Sequence, residues 1–207
     1  MDLAGTTAAR DELRVVRPQP GKRRNMGTLA AARSVDHRLT RHMAAWDSAW
    51  ARRLLPPVEE AAEHTKLWWA TAAAMAAGGG LRGRRAAAAG IAAMAVAELL
   101  SNGVVKKLVE RRRPPKEWIP HSDVEDRPDS SSFPSGHTAA AVAFTAAVAP
   151  AWPWAGAACA VPTALVAIER VHSGAHYPSD VAVGAAIGLS VAALVRSVPR
   201  FAVRHLG

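Results

Sequence analysis

Cysteine is nearly missing: the 207 residues hold one, Cys159, inside an apolar run. No disulfide can close within the chain, and no cysteine metal site can be built. Aromatic residues are scarce, at 5%. Alanine carries most of the apolar content instead, and it is the best helix former and a poor strand former. An all-α architecture is the first inference. Acidic residues are outnumbered by basic ones, 17 to 26, for a formal net charge of +9. Such a surplus suits nucleic acid, anionic lipid or an anion-binding site. No single basic stripe is present, however. The cations gather in Arg10 to Arg53, Arg82 to Arg85, Lys106 to Lys116 and Arg196 to Arg204, with nearly uncharged alanine-rich runs between them. That alternation fits a membrane bundle with charged loops and sets nucleic acid aside. The first 33 residues also lack an apolar core of signal-peptide length.

The length suits one domain with a real core. Residues 1–33 read as a disordered basic arm, with Pro18, Pro20 and Gly21 among the arginines. Residues 34–64 read as an amphipathic or interfacial helical region broken near Pro56-Pro57. Leu39, Met43, Trp46, Trp50 and Leu54 recur there at helical spacing. A helix that caps the bundle fits equally. Residues 65–199 hold five apolar segments, 67–81, 86–105, 137–152, 154–169 and 178–195, and 200–207 form a basic tail. Three of the segments fall short of the roughly 17 residues a span needs, so hydropathy alone leaves a soluble bundle open. Trp68, Trp69, Trp118, Trp152 and Trp154 lie at or near segment ends, where interfacial tryptophans belong, and this favours the membrane.

Three short stretches carry chemistry. Lys106 and Arg113 are seven residues apart, two helical turns, so both can project from one face toward an anion. Basic residues at a segment end also serve as headgroup anchors. Phe133-Pro-Ser-Gly-His-Thr138 precedes an alanine-rich helix, whose free N–H groups make an anion pocket. Ser135 can cap that helix and donate to a phosphate oxygen. His137 falls in the first turn, where the positive helix end makes it a readier proton donor. In Glu169 to Asp180, Pro178 suits the first position of the last helix. His176 lies four residues before Asp180, close enough for the carboxylate to hold Nδ1–H and leave Nε2 free to attack. A His–Asp pair can also serve a metal, but no cluster of acidic or cysteine ligands stands beside it, so no metal and no cofactor is expected.

Lys-x6-Arg-Pro, Pro-Ser-Gly-His and Arg-x5-His-x3-Asp, in that order, resemble the signature of the type 2 phosphatidic acid phosphatase family and the related vanadium haloperoxidases. The resemblance covers roughly residues 67–196. It implies a membrane helix bundle of five to six helices with the acid phosphatase/vanadium haloperoxidase-like fold. It implies further that Lys106, Arg113 and Arg170 bind phosphoryl oxygens, with Ser135 and the Gly136 amide completing the cradle. His176 becomes the nucleophile, Asp180 orients it, and His137 protonates the leaving group. One position departs: the family usually has serine where this chain has Glu169. A carboxylate pointing into a phosphate site is unfavourable, so Glu169 must point away or pair with an arginine. His172 shares the loop but lacks an aspartate four residues on, so a supporting or substrate-facing place is expected for it.

All three motifs fall on one side of the segment pattern, and Arg82 to Arg85 and the tail fall on the other. By the positive-inside rule this sets the site on the extracytoplasmic side of a multi-pass cell-membrane protein. The expected partners are the bilayer and a lipid phosphate or diphosphate: phosphatidic acid, phosphatidylglycerol phosphate, or a polyprenyl phosphate or diphosphate. Trp118, Ile119 and His121 are candidates for choosing among them. Two other functions compete: a vanadate-dependent haloperoxidase, and a non-catalytic protein that binds anionic lipid. Whether 34–64 crosses the membrane or lies flat stays open at this point.

Overall fold

The computed structural model describes residues 20–120 and 129–205, with side chains from 30 to 120 and 129 to 197. Met1–Ser34 and Val35–Gly207 are separate compact units. Of the arm expected to be disordered over residues 1–33, residues 1–19 lie outside the described residues, and the rest is helical from Pro20.

Among the described residues the regular structure is all helical, without strands. Helix α1 (Pro20–Ala44) enters the second unit at Val35, and α2 (Ala49–Ala62), α3 (Lys66–Gly78) and α4 (Gly80–Glu98) follow. The last of these widens into a π-turn over Leu99–Val105 and closes with one α-turn, α5 (Lys106–Leu108). Then come α6 (Gly136–Val148), α7 (Pro153–His172) and α8 (Pro178–His205).

Helix α6 is the central post, packed against α4, α7 and α8. Its Ala139, Ala140, Ala141, Ala143 and Ala147 are buried almost completely. Small residues let helix backbones approach closely, which is how helices associate where water supplies no driving force. A Cβ added to Gly188 would stand 2.6 Å from the Ala139 carbonyl oxygen, and one on Gly184 2.5 Å from that of Ser135. Helix α8 thus lies with its backbone directly on the start of α6. On the opposite flank Trp68 of α3 packs on Phe144, with ring centroids 5.4 Å apart. Trp68 is therefore a core residue and not an interfacial one, whereas Trp69 and Trp154 are exposed.

Among the described residues three stretches are long and apolar enough to cross a membrane: Gly80–Leu108, Pro153–His172 and Pro178–Ser197. Only 28–33% of each apolar window is buried inside the protein. Most of the apolar surface, including Leu81, Val161, Leu189 and Leu194, therefore points outward, as lipid requires and water penalises.

The bundle has two distinct ends. At one, Arg82 Nε donates to the Ala151 carbonyl at 2.7 Å, which ties the α3–α4 corner to the α6–α7 corner. At the other, the Ser135 amide donates to the Asp180 carbonyl at 3.1 Å. Arg113 Nη1 there reaches the Ala175 carbonyl at 2.7 Å. All three motif stretches meet at this second end.

The region before α3 differs from expectation. Helix α2 runs straight through Pro56 and Pro57, and the break falls earlier, between Ala44 and Ala49. Ser48 explains it, since its hydroxyl accepts from the Ala51 amide at 3.2 Å and starts a new helix. Asp36, Trp46 and Glu59 each touch the motif end of the bundle, through Ser179, His172 and Arg170. The stretch from Val35 to Ala62 therefore caps that end.

Candidate active site

The first motif reaches the site by a route its spacing does not show. Lys106 and Arg113 do not share a helix face, because α5 ends at Leu108 and Val109 is extended (φ −126°, ψ 106°). Pro114 and Pro115 lack the amide donors a helix would need and push Arg113 away from helical angles. Arg113 instead spreads its fork between the Ala175 carbonyl at 2.7 Å and the Ser130 carbonyl at 3.2 Å. Lys106 is presented by the π-turn, whose Ser101, Asn102 and Gly103 are weak helix formers. Asn102 is a neighbour the sequence did not reveal. A Cβ on Gly136 would stand 2.5 Å from its Oδ1, so any larger residue here would have to displace the Asn102 amide.

The second motif behaves as its residues suggest. Ser135 caps α6, its hydroxyl accepting from the Thr138 amide at 3.4 Å and lying 2.9 Å from the Thr138 hydroxyl. Ser135 and Gly136 are buried, and His137 follows in the first turn, half-buried.

In the third motif the geometry corrects one expectation. His176 Nδ1 donates to the Ser132 carbonyl at 2.5 Å, while its distance to Asp180 Oδ2 is 3.9 Å. Asp180 is taken up elsewhere. Its Oδ2 accepts the Tyr177 amide at 2.9 Å, closing the start of α8 as a capping box does, and its Oδ1 meets Arg111 at 2.5 Å. Proton placement on the imidazole is nonetheless what the motif calls for: an acceptor on Nδ1 leaves the lone pair on Nε2. Burial, and after it the charges of Arg113, Arg170 and Lys106, hold His176 well below the ordinary imidazole range, so it stays neutral. His172 Nε2 donates to the Trp46 carbonyl at 3.1 Å and fastens the cap.

Lys106, Arg113 and Arg170 lie within electrostatic reach of both His137 and His176. Two imidazoles and three cations from distant stretches thus lie close enough at this end of the bundle to feel one another's charge. Glu169 does not point a bare charge into it, because its carboxylate pairs with Arg170 Nε. Arg170 Nη2 takes a second carboxylate, Glu59 of the cap, at 2.6 Å. At this end an open cleft of about 920 Å³ is lined by Lys106, Lys107, Arg112, Arg113 and Lys116, against Glu110 and Asp129. Neither imidazole lines that cleft, so it reads as a cationic approach and not as the reacting centre.

Arg111 and Asp36 were not singled out by the motifs. Arg111 bonds Asp36 Oδ2 at 2.7 Å and Ser179 Oγ at 2.7 Å as well as Asp180. Burial works against the Asp36 charge, but the hydrogen bonds from Ser179 and Arg111 outweigh it and hold the carboxyl below its usual value. A third arginine in the run Arg111-Arg112-Arg113 was the available signal for Arg111. Nothing local marks Asp36. Trp118 and Ile119 pack against the cap: Arg41 of α1 stands 5.1 Å over the Trp118 ring and Ile119 packs on Ala44. His121 lies outside the described residues. Among the described residues no group of three His, Cys, Asp or Glu side chains gathers as metal ligands would.

An apolar helix bundle with two imidazoles and three cations gathered toward one end is the arrangement to be compared with known membrane proteins. The chain belongs to the PAP2 superfamily, whose family model matches residues 86–204, more than half its length. Decaprenylphosphoryl-5-phosphoribose phosphatase of Mycobacterium tuberculosis, found in two strains, is 38% identical over 100 residues. That stretch is 46% of this chain and 51% of that protein, so the match spans about half the length of the curated relatives. Among solved structures, a transmembrane PAP2-type phosphatidylglycerolphosphate phosphatase from Bacillus subtilis superposes with a TM-score of 0.62 at 23% identity. It covers 82% of this chain and 87% of that one. The shared fold is what that likeness shows.

Proposed function

We propose that the protein is a membrane phosphatase that hydrolyses a lipid phosphate or diphosphate through a phosphohistidine on His176. The observation that carries the reading is the 2.5 Å contact from His176 Nδ1 to the Ser132 carbonyl, with three cations in reach of the ring. A neutral imidazole with its Nε2 lone pair free is a nucleophile ready to act. In the first step Nε2 forms a bond to phosphorus, the bond from phosphorus to the leaving oxygen breaks, and His137 supplies that oxygen with a proton. In the second, water attacks phosphorus, the P–N bond breaks, and His137 takes the proton from the water. Lys106, Arg113, Arg170, Ser135 and the Gly136 amide stabilise the equatorial oxygens, the dominant contribution in phosphoryl transfer. Asp180 acts through the start of α8 and not by a direct bond to the imidazole. The chemistry needs no metal.

The substrate class follows from a cationic end on an apolar bundle, and the M. tuberculosis relatives support a polyprenyl phosphate among the candidates. The protein is a multi-pass cell-membrane protein with its site facing outward from the cytoplasm, since Arg82, Arg84 and Arg85 cluster near the opposite end. The test is phosphate release from a short-chain lipid phosphate by detergent-purified protein in EDTA, beside a His176→Ala variant. Turnover in EDTA that His176→Ala abolishes is the expected result. Full activity in the variant would remove the nucleophile, and loss in chelator would remove metal independence.

A further inference from the structure

We infer that Asp36 and Arg111 are positioning residues that, with Asp180, form a buried clasp fixing where His176 stands. The inference rests on the phosphohistidine reading above. It starts from a count of bonds on one short stretch, Tyr177 to Asp180. The Asp36 carboxylate accepts the Ser179 amide on Oδ1 at 3.0 Å and the Ser179 hydroxyl on Oδ2 at 2.5 Å. Arg111 Nη1 donates to Ser179 Oγ and to Asp180 Oδ1, and its Nη2 donates to Asp36 Oδ2. The same guanidinium lies 4.2 Å above the Tyr177 ring. Backbone amide, hydroxyl, carboxylate and ring of this stretch are therefore held by two side chains. His176 is the next residue toward the N-terminus.

Charge explains why the clasp must be complete. Asp180 is fully buried and Asp36 is 7% exposed. A desolvated carboxylate is costly unless it is paired, and one guanidinium here serves two of them. Its planar fork reaches both at once, which a lysine cannot reproduce. Asp36 lies on α1, well before residue 86 where the family match begins. The cap is thereby joined by short polar contacts to the stretch that begins one residue after His176, and that stretch cannot drift without breaking them. A displacement of about 1 Å at a nucleophile costs on the order of a hundredfold in rate.

The experiment uses the full chain in detergent with a short-chain lipid phosphate. It measures kcat, KM and thermal midpoint for Asp36→Asn, Arg111→Lys, Arg111→Gln, Ser179→Ala and the Asp36→Asn/Arg111→Gln pair. Arg111→Gln should lose about a hundredfold and Asp36→Asn about tenfold in kcat, with KM within about threefold. Arg111→Lys should recover part of the loss, and the pair should lose less than the two single losses combined, because both break one clasp. Ser179→Ala removes contacts to both partners without stranding a buried charge, and should lower kcat severalfold in a protein that still melts cooperatively. Folded Asp36→Asn and Ser179→Ala proteins with parental kcat would overturn the proposal, even if both arginine variants fail to fold. A His176→Ala control separates the two readings. If it stays active the nucleophile is wrong; if it is dead while the clasp variants turn over normally, only the clasp is wrong.

Discussion

Glu59 offers a prediction whose sign is opposite to ordinary damage. Arg170 carries Glu169 on Nε and Glu59 on Nη2, so one positive charge faces two negative ones. Two carboxylates thus share one guanidinium and offset its charge. A phosphoryl oxygen that binds Arg170 competes with them for that charge. Glu169 is sealed at 2% side-chain exposure, whereas Glu59 is 39% exposed and can swing into water. Glu59 is then a resident competitor for the phosphate position. A charge-assisted hydrogen bond contributes about 1.5–3 kcal/mol, and solvent screening of a partly exposed partner brings this toward about 1 kcal/mol. That is roughly a fivefold effect on binding. Glu59→Gln should therefore tighten inhibition by inorganic phosphate about fivefold and lower KM by a similar factor, with kcat little changed. The assay is hydrolysis of a short-chain lipid phosphate against rising inorganic phosphate. Because Glu59 also ties the cap to α7, a purely structural role predicts weaker phosphate binding and a lower melting point. An inhibition constant that is unchanged or raised would refute the competitor argument.

Three further outcomes follow from the same geometry. Burial and the neighbouring cations keep His176 neutral in the folded protein, so the unfolded chain binds a proton the native state does not. Stability is then fully present above the unfolded value near 6.5 and is lost as pH falls below it, by up to about 1.4 kcal/mol per unit until the lowered native value is reached. Melting curves between pH 8 and 5 should show this, flattened in His176→Gln; a midpoint indifferent to that substitution would count against it. Gly184→Ala would set a methyl 2.5 Å from the Ser135 carbonyl oxygen, pushing α8 off the second motif. A loss of about 1–3 kcal/mol in stability together with reduced turnover is expected, and a neutral result would show that the helices separate easily. Arg113→Lys keeps the charge but cannot span both the Ala175 and Ser130 carbonyls. Turnover should fall about 10- to 100-fold, and parental activity would mean that charge alone suffices.

What the chain revealed beforehand depended on whether the deciding contacts were local. Ser135 as a cap and Pro178 at the head of the last helix are set by their immediate neighbours, so both were legible. The common end for three motifs followed from counting helices between them. The bond of the His176 ring was not legible: the spacing of four to Asp180 suggested a partner, but the carbonyl that takes Nδ1 comes from Ser132, 44 residues away. Lys106 and Arg113 converge although the helix joining them ends early, because the two prolines override the helical count. The cap was one of two readings left open for residues 34–64, for the opposite reason. Its tryptophans gave a clear amphipathic period, yet periodicity says which face is apolar and not what lies beneath it.

The widened turn over Leu99–Val105 carries a consequence for how the cradle is addressed. Such a turn is an α-helix that has absorbed a single additional residue. Wound regularly instead, those seven residues would turn everything beyond them by about 100°. Lys106 would then swing away from the two histidines, although the lysine itself had not been touched. The first cation of the cradle is thus specified by a manner of winding, and a substitution such as Gly103→Ala that favours the ordinary helix there would work against Lys106 without changing it.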